Sequence, residues 1–465
     1  MTLIQQLNRH KESFLQSPLP SRQDRIKHLQ SLKTALLKYQ DQLCVALNND
    51  FGQRSATESQ LLDILPTINY INYSSKKLKA WMKSDKRHSG MLLAGAKVKV
   101  MYQPLGVIGI IGSWNAPLTV TLAPLVAALS AGNHAMIKVS EFNPETNNVI
   151  AKVINEAFTA DLVSLVEGDA EISAEFSQLP FDHLVFTGSS QVGRHVMSAA
   201  AKNLTPVTLE LGGKCPVIIA KDMPIEDAVN RIVFGKSFNS GQICLAPDYI
   251  FCPAGKEKEF IRAYCNKFQQ LFPDFNTNKD HTSIHSDRHF QRFQNLLADA
   301  EHKGATITSA NNIKGNANTR LMATHLISNV NEDMQIMQEE IFGPLLPIKT
   351  YENLEEVTSY INSKTSPLGL YIMSFDKSIQ QYLLTNTQSG GVSINEVMFH
   401  AMCDDAPFGG IGESGMGHYH GPEGFKALSK AKTVLTRSKF YPGKWISPPY
   451  NNSLIKPLLK FLLRC

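Results

Sequence analysis

The apolar positions of this chain change their spacing twice. Over the first 90 residues they recur at helical intervals, as Ile26, Leu29, Leu32, Leu36 and Leu37 do. Ser21-Arg22-Gln23-Asp24 stands before them as a capping box, in which a hydroxyl and an acidic side chain satisfy the first free N–H groups. Residues 97–102 alternate instead, Lys-Val-Lys-Val-Met-Tyr, which predicts a strand with one wet face. From residue 105 short, mostly apolar strand-like runs take over, at 107–111, 135–139, 162–166 and 183–186. Such runs suit parallel strands buried on both faces. Helical stretches at 122–129 and 145–158 fall between them. Strands alternating with helices predict a doubly wound α/β domain. The alternation restarts near 217–219 and runs to about 395, which predicts a second one. There is no internal repeat and no low-complexity segment.

Composition bounds the function. The chain has 465 residues, 43% hydrophobic and 19% charged, which is enough for a large core in two or three domains. Its 46 basic and 41 acidic residues leave a net charge of +5 with no dense basic block, so a nucleic-acid partner is not expected. The seven cysteines include no Cys-x-x-Cys pair. An odd, scattered set argues against a disulfide framework and against structural zinc, and fits a reducing, cytoplasmic compartment. Residues 1–11 are polar and lack a signal-peptide core. No run of 18 apolar residues exists, so no transmembrane segment is expected. The tail changes character again. Residues 445–450 are proline-rich, and Leu454, Ile455, Leu458, Leu459 and Leu462 then share one helical face, with Lys456, Lys460 and Arg464 elsewhere. Two readings stand, with the first favoured: a helix packed on the protein or a partner subunit, or a weak peripheral membrane contact.

Cys244 is the first candidate for chemistry. An ordinary thiol is only a few per cent ionised at neutral pH, so most cysteines are structural, and Cys215, Cys252 and Cys265 read that way. Cys244 differs because Asn239, Ser240 and Gly241 precede it. Small neighbours let a substrate approach the backbone, where an N–H can hold an oxyanion. Glu210, followed by Gly212-Gly213, is a candidate general base, with a surface turn as the equal alternative. Gly188, Ser189 and Gly193 follow a strand and open a helix, as a phosphate site requires, although plain turns also use glycine. Lys138 and Glu141 end a strand of the same domain, where a ribose can bind. Asn115, in Ser113-Trp114-Asn115, offers a side-chain donor to an oxyanion. Glu339-Glu340-Ile341-Phe342-Gly343-Pro344 sets two carboxylates before an aromatic turn. His400, His418 and His420 lack helical metal spacing, so no metal is expected.

Taken in order, these segments resemble the NAD(P)-dependent aldehyde dehydrogenase superfamily over roughly residues 20–440. Residues 209–214, the run ending at Cys244, residues 339–344, Pro407-Phe408-Gly409-Gly410 and Ser414-Gly415-Met416-Gly417 carry the likeness. Gly390-Gly391-Val392, Asn395 and Tyr419-His420-Gly421 are similar to the class 3 branch, and within it to bacterial members that oxidise coniferaldehyde. The resemblance implies Cys244 as nucleophile, Glu210 as base and Asn115 as oxyanion donor. It implies cofactor contacts from Trp114, Lys138, Glu141, Gly188, Ser189, Gly193, Glu340 and Phe342. It implies NAD, favoured by Glu141, with NADP accepted in the class 3 branch, and a homodimer. It further implies an NAD(P)-binding domain over 1–80 and 104–208, a catalytic domain over 209–395, and small β oligomerisation elements with the tail over 81–103 and 396–465. An aromatic aldehyde is the expected substrate, a medium-chain aliphatic one the alternative. A CoA-acylating enzyme and a catalytically silent protein on the same fold are the rival readings.

Overall fold

The computed structural model describes every residue except 91–92, 94, 313–314, 440–446, 449, 451–454 and 464–465. Helices Leu3–Gln16 and Arg22–Phe51 begin at Thr2 and Ser21, each with a capping box. The second ends at Gly52, whose φ of 80° is the left-handed stop that glycine adopts without a Cβ clash. Its Leu29, Leu32 and Leu36 are buried with Val149, Ile150, Val153 and Ile154 of helix Pro144–Ala157. Burying each leucine contributes about 2 kcal/mol relative to exposure. Leu37, one step round the helix, faces solvent. The helical expectation for the first 90 residues holds as far as Trp81. Asp85–Arg87 is a short strand instead, because a neighbouring strand takes up its backbone.

The strands fall into three sheets. In chain order they are β1 (Asp85–Arg87) and β2 (Lys97–Pro104), then β3 (Val107–Ile111), β4 (His134–Lys138), β5 (Val163–Val166), β6 (His183–Gly188) and β7 (Val207–Leu211). Next come β8 (Pro216–Ile219), β9 (Tyr249–Pro253), β10 (Thr306–Ser309), β11 (His325–Ser328), β12 (Leu345–Tyr351), β13 (Gly369–Met373) and β14 (Gly391–Ile394). Last are β15 (Gly415–Met416) and β16 (Ser429–Thr436). The first large sheet has the order β15-β7-β6-β3-β4-β5 and is parallel except for β15. The second has the order β10-β11-β12-β9-β8-β13-β14 and is parallel except for β10. Both are doubly wound α/β sheets, as the alternation of strands and helices predicts. β1, β2 and β16 form a separate antiparallel sheet.

The boundary expected at residue 209 needs correcting. It cuts β7, which pairs with β6 in the first sheet through residues 207–211. Residues 415–416, expected among the bridging elements, also join that sheet, with Gly415 opposite Glu210. The tail forms the helix Ile455–Leu462, with Leu459 exposed. Leu454, and the side chains of Ile455, Leu458 and Leu462, lie outside the described residues, as do Trp445 and Pro449 of the proline-rich stretch. Among the described residues no helix is long and apolar enough to cross a membrane.

The two large sheets meet the site with opposite ends. Residues after β3, β6 and β7 come from carboxyl ends, the usual ligand edge of an open α/β sheet. Lys214 before β8, Cys244 before β9 and Glu340 before β12 come from amino ends.

Candidate active site

A chamber of about 250 Å³ gathers most of the residues singled out from the sequence. Trp114, Asn115, Gly188, Ser189, Glu210, Cys244, Glu340 and Phe342 all line it. Lys138, Glu141 and Gly193 do not. Lys138 and Glu141 lie at and beyond the end of β4, with Lys138 Nζ donating to Val139 O at 2.7 Å and standing 4.0 Å from the Glu141 carboxylate. Gly193 acts as a spacer, since a Cβ there would stand 2.7 Å from Leu211.

Cys244 is reached through a turn that few sequences allow. Asn239, Ser240 and Gly241 have φ of 51°, 53° and 70°, three left-handed residues in succession. A Cβ on Gly241 would stand 2.7 Å from the Gly343 carbonyl oxygen, so the close approach requires glycine. Several segments hold the turn. Asn239 N and Thr282 Oγ1 both donate to the buried Glu58 carboxylate. Gln242 Nε2 donates to Ser283 O at 3.1 Å, and its Oε1 accepts from His285 N at 2.9 Å. Cys215 Sγ donates to the Cys244 carbonyl at 3.3 Å. A fully buried Arg54–Asp63 pair, 2.7 Å apart, braces the facing loop, where Asp63 Oδ1 accepts from Leu118 N and Thr119 N.

That brace positions Asn115. Its Oδ1 accepts from Ser113 Oγ at 2.7 Å and its Nδ2 donates to Gln242 O at 3.2 Å. A primary amide has two N–H bonds, so one donor remains. No carbonyl among the described residues takes up the Cys244 backbone N–H.

Glu210 is buried, and neither carboxylate oxygen has a hydrogen-bond partner among the described residues. Burial holds its pKa well above the usual carboxyl range. Burial likewise pushes the Cys244 thiol up to about 12, and the carboxylates of Glu340 and Glu210 add to the effect. Glu340 is pushed up to about 8, again chiefly by burial. The thiol therefore rests protonated at neutral pH, beside a buried carboxyl whose pKa is also raised.

The chamber also carries the features of a phosphate site. β6, the turn at Gly188 and the helix Ser190–Ala201 place helix N-terminal N–H groups at its wall, and Ser189 caps that helix by accepting from Val192 N. Thr187 Oγ1 is buried there without a partner. The Glu340 carboxylate packs against Gly212, where any Cβ would overlap it.

Sequence reasoning missed Thr187, Gly212, His289, Arg292 and Phe293, which share the wall. Arg292 fastens the 339–341 segment, donating to Glu340 O at 2.6 Å, Ile341 O at 2.7 Å and the Glu339 carboxylate at 2.8 Å. The His289 ring lies 4.9 Å from the Trp114 ring. His289 and Arg292 sit on the amphipathic helix Asp287–His302, whose pattern carries no chemical signal. The contact of Glu340 with Gly212 was the one readable trace, as a glycine pair beside a candidate base.

A second chamber, of about 270 Å³, is lined by Ile243 and Leu245, the neighbours of Cys244. Phe234, Phe238 and Phe399 supply an aromatic wall in which Phe234 stacks on Phe238 at 27° and on Phe399 at 15°.

Comparison with known proteins agrees with this geometry. Residues 8–434 match the Aldehyde dehydrogenase family. A probable coniferyl aldehyde dehydrogenase of Pseudomonas aeruginosa is 45% identical, over 98% of this chain and 95% of that protein. A dimeric NADP-preferring aldehyde dehydrogenase of Canis lupus familiaris is 35% identical, over 89% of this chain and 90% of its own length. The substrate-bound structure of Staphylococcus aureus AldH superposes with a TM-score of 0.93 at 34% identity, covering 99% of this chain and 100% of that one. The chain belongs to the aldehyde dehydrogenase family, whose members are oxidoreductases that use NAD(P).

Proposed function

We propose that the chain oxidises an aromatic aldehyde to its carboxylic acid through a covalent intermediate on Cys244. The observation that carries this is one chamber holding Cys244, the unpartnered carboxylate of Glu210, and Asn115. Cys244 Sγ adds to the aldehyde carbon as its proton passes to solvent water. The resulting oxyanion meets the remaining Asn115 Nδ2–H and the Cys244 backbone N–H, which are donors already in place. When bound, NAD(P) would supply the hydride acceptor for that carbon, whose oxidation leaves a thioester on Cys244. Gly188, Ser189, Glu340, Phe342 and Trp114 are the residues that would hold it, with Lys138, Glu141 and Gly193 supporting its edge. Glu210 then takes a proton from water, which attacks the thioester, releases the acid and restores the thiol. Splitting one oxidation into two covalent steps is what the thiol contributes.

The aromatic wall of the second chamber and the name of the Pseudomonas relative favour an aryl aldehyde over a medium-chain aliphatic one. The name of the dog relative supports a homodimer and the use of NADP beside NAD. The free state of all six described cysteines supports a reducing, cytoplasmic setting.

Formation of reduced nicotinamide from coniferaldehyde and from hexanal, with and without CoA, tests the proposal. Turnover without CoA and a preference for coniferaldehyde are expected. A requirement for CoA would make the enzyme acylating, and no turnover of either aldehyde would leave the fold without its reaction.

A further inference from the structure

We propose that Asp404, His420 and Asn69 form a recognition site for a hydroxyl on the far end of the substrate, so that the enzyme selects para-hydroxylated aryl aldehydes. The inference rests on the aldehyde-oxidising reading and deepens it. The second chamber is mostly apolar, and only four polar side chains line it. Thr119 is already committed, donating from Oγ1 to Leu62 O at 2.7 Å. The other three are Asn69, Asp404 and His420.

Asp404 makes no hydrogen bond or ion pair among the described residues, although it is only partly exposed. Its neighbour Asp405 accepts from Tyr73 Oη, so the two adjacent carboxylates differ. Burial raises the Asp404 pKa to about 6. His420 is 8% exposed, and its Nδ1 is buried without a hydrogen-bond partner among the described residues. Burial lowers its pKa to about 4, so the ring is neutral and able to accept or donate.

A partly desolvated carboxylate at an apolar chamber is unfavourable until a ligand satisfies it. The nearly parallel rings of Phe234, Phe238 and Phe399 present faces to a planar ring, which prefers offset stacking. A phenol combines the two features. Its ring lies among the phenylalanines, and its O–H donates to the Asp404 carboxylate. Asn69 and neutral His420 then meet the phenol oxygen or a neighbouring ether oxygen. A site built to bond a substrate hydroxyl discriminates against the analogue that lacks it, because its own polar groups are left unpaired.

The test compares kcat/KM for para-hydroxycinnamaldehyde and cinnamaldehyde, which differ by that hydroxyl alone. The wild-type enzyme should prefer the hydroxylated aldehyde by about tenfold or more. In Asp404→Leu the ratio should fall to near one, through a raised KM for the hydroxylated substrate. Asp404→Asn keeps the shape and one neutral acceptor and should give an intermediate ratio, which decides the matter if the leucine variant does not fold. A wild-type ratio near one overturns the proposal, as does an unchanged ratio in whichever variant turns over. A cationic aldehyde bearing a trimethylammonium group is the third substrate. If it is oxidised in preference to both, the carboxylate serves a cation and the hydroxyl reading fails. Failure of the underlying reading looks different, because the wild-type enzyme would then oxidise none of the three.

Discussion

At the scale of single residues, burial is the dominant force on the chemistry. Glu210, Glu340 and Cys244 all have raised pKa values, and desolvation is the first cause for each. For a nucleophile that is a handicap, since the thiol stays protonated. For a base it acts both ways, because a carboxyl that binds protons more tightly is harder to ionise but, once ionised, takes a proton from water more readily. The roles proposed for the two residues therefore separate in time, with Glu210 mattering most once the thioester exists. Glu210→Gln tests this. Glutamine keeps the size of the side chain and cannot accept the proton. A first-turnover burst of reduced nicotinamide should persist while steady turnover falls about 10²- to 10³-fold. Stopped-flow absorbance measures both, and a variant with unchanged steady turnover would remove Glu210 from the role of base.

At the scale of elements, the site depends on turns that hold their shape against backbone preference. Asn239 and Ser240 are non-glycine residues at positive φ, a conformation that persists only where the surroundings enforce it. Glu58, Thr282, Ser283 and His285 supply that enforcement through hydrogen bonds to the turn. Gly241→Ala should therefore be costly on two counts, a left-handed φ of 70° and a carbonyl oxygen 2.7 Å from the new Cβ. We expect about 1–3 kcal/mol of local strain, seen as a lowered Tm together with slower alkylation of Cys244 followed by peptide mass. A variant with both values unchanged would show that the turn tolerates a side chain. Legibility also divides at this scale. β3, β4 and β6 were readable because strands buried on both faces are written as predominantly apolar runs. The two-residue β15 was not, since nothing local in Gly415-Met416 announces a partner as distant in sequence as Glu210. Arg292 was hidden for a related reason, because its partners are backbone carbonyls of another segment, which leave no residue-type signature. Lys138 and Glu141 were placed correctly at a strand end, but the chamber around Cys244 closes before reaching them.

At the scale of the whole molecule, the same burial that tunes the site ties stability to pH. His10, His183, His281, His285 and His420 are each less than 9% exposed, and each has its pKa lowered from 6.5 to about 4 with burial as the first cause. They are spread through the molecule. His10 bonds Ser164 beneath the first sheet at 2.7 Å, His183 starts β6, and His281 packs among Phe268, Phe272 and Phe275. In the folded state each stays neutral, whereas the unfolded chain takes up protons once the pH falls below 6.5. Their contribution is thus fully present above pH 6.5 and is lost progressively as the pH falls towards 4. Each histidine withdraws roughly 1 kcal/mol by pH ~5.5, and because they lie in different clusters the losses add in part. In thermal melts of the cofactor-free protein this loss should appear between pH ~6.5 and ~5.5, set against the buried carboxyls of Glu210 and Glu340, whose raised pKa values favour the fold as the pH falls. A histidine-to-glutamine change at His281 should make the fall in Tm shallower, even if it lowers Tm at neutral pH, because one proton-uptake site is gone. A variant whose fall matches that of the wild-type protein would mean that the His281 ring accepts a proton inside the fold, and that its buried cluster is wetter than its packing implies.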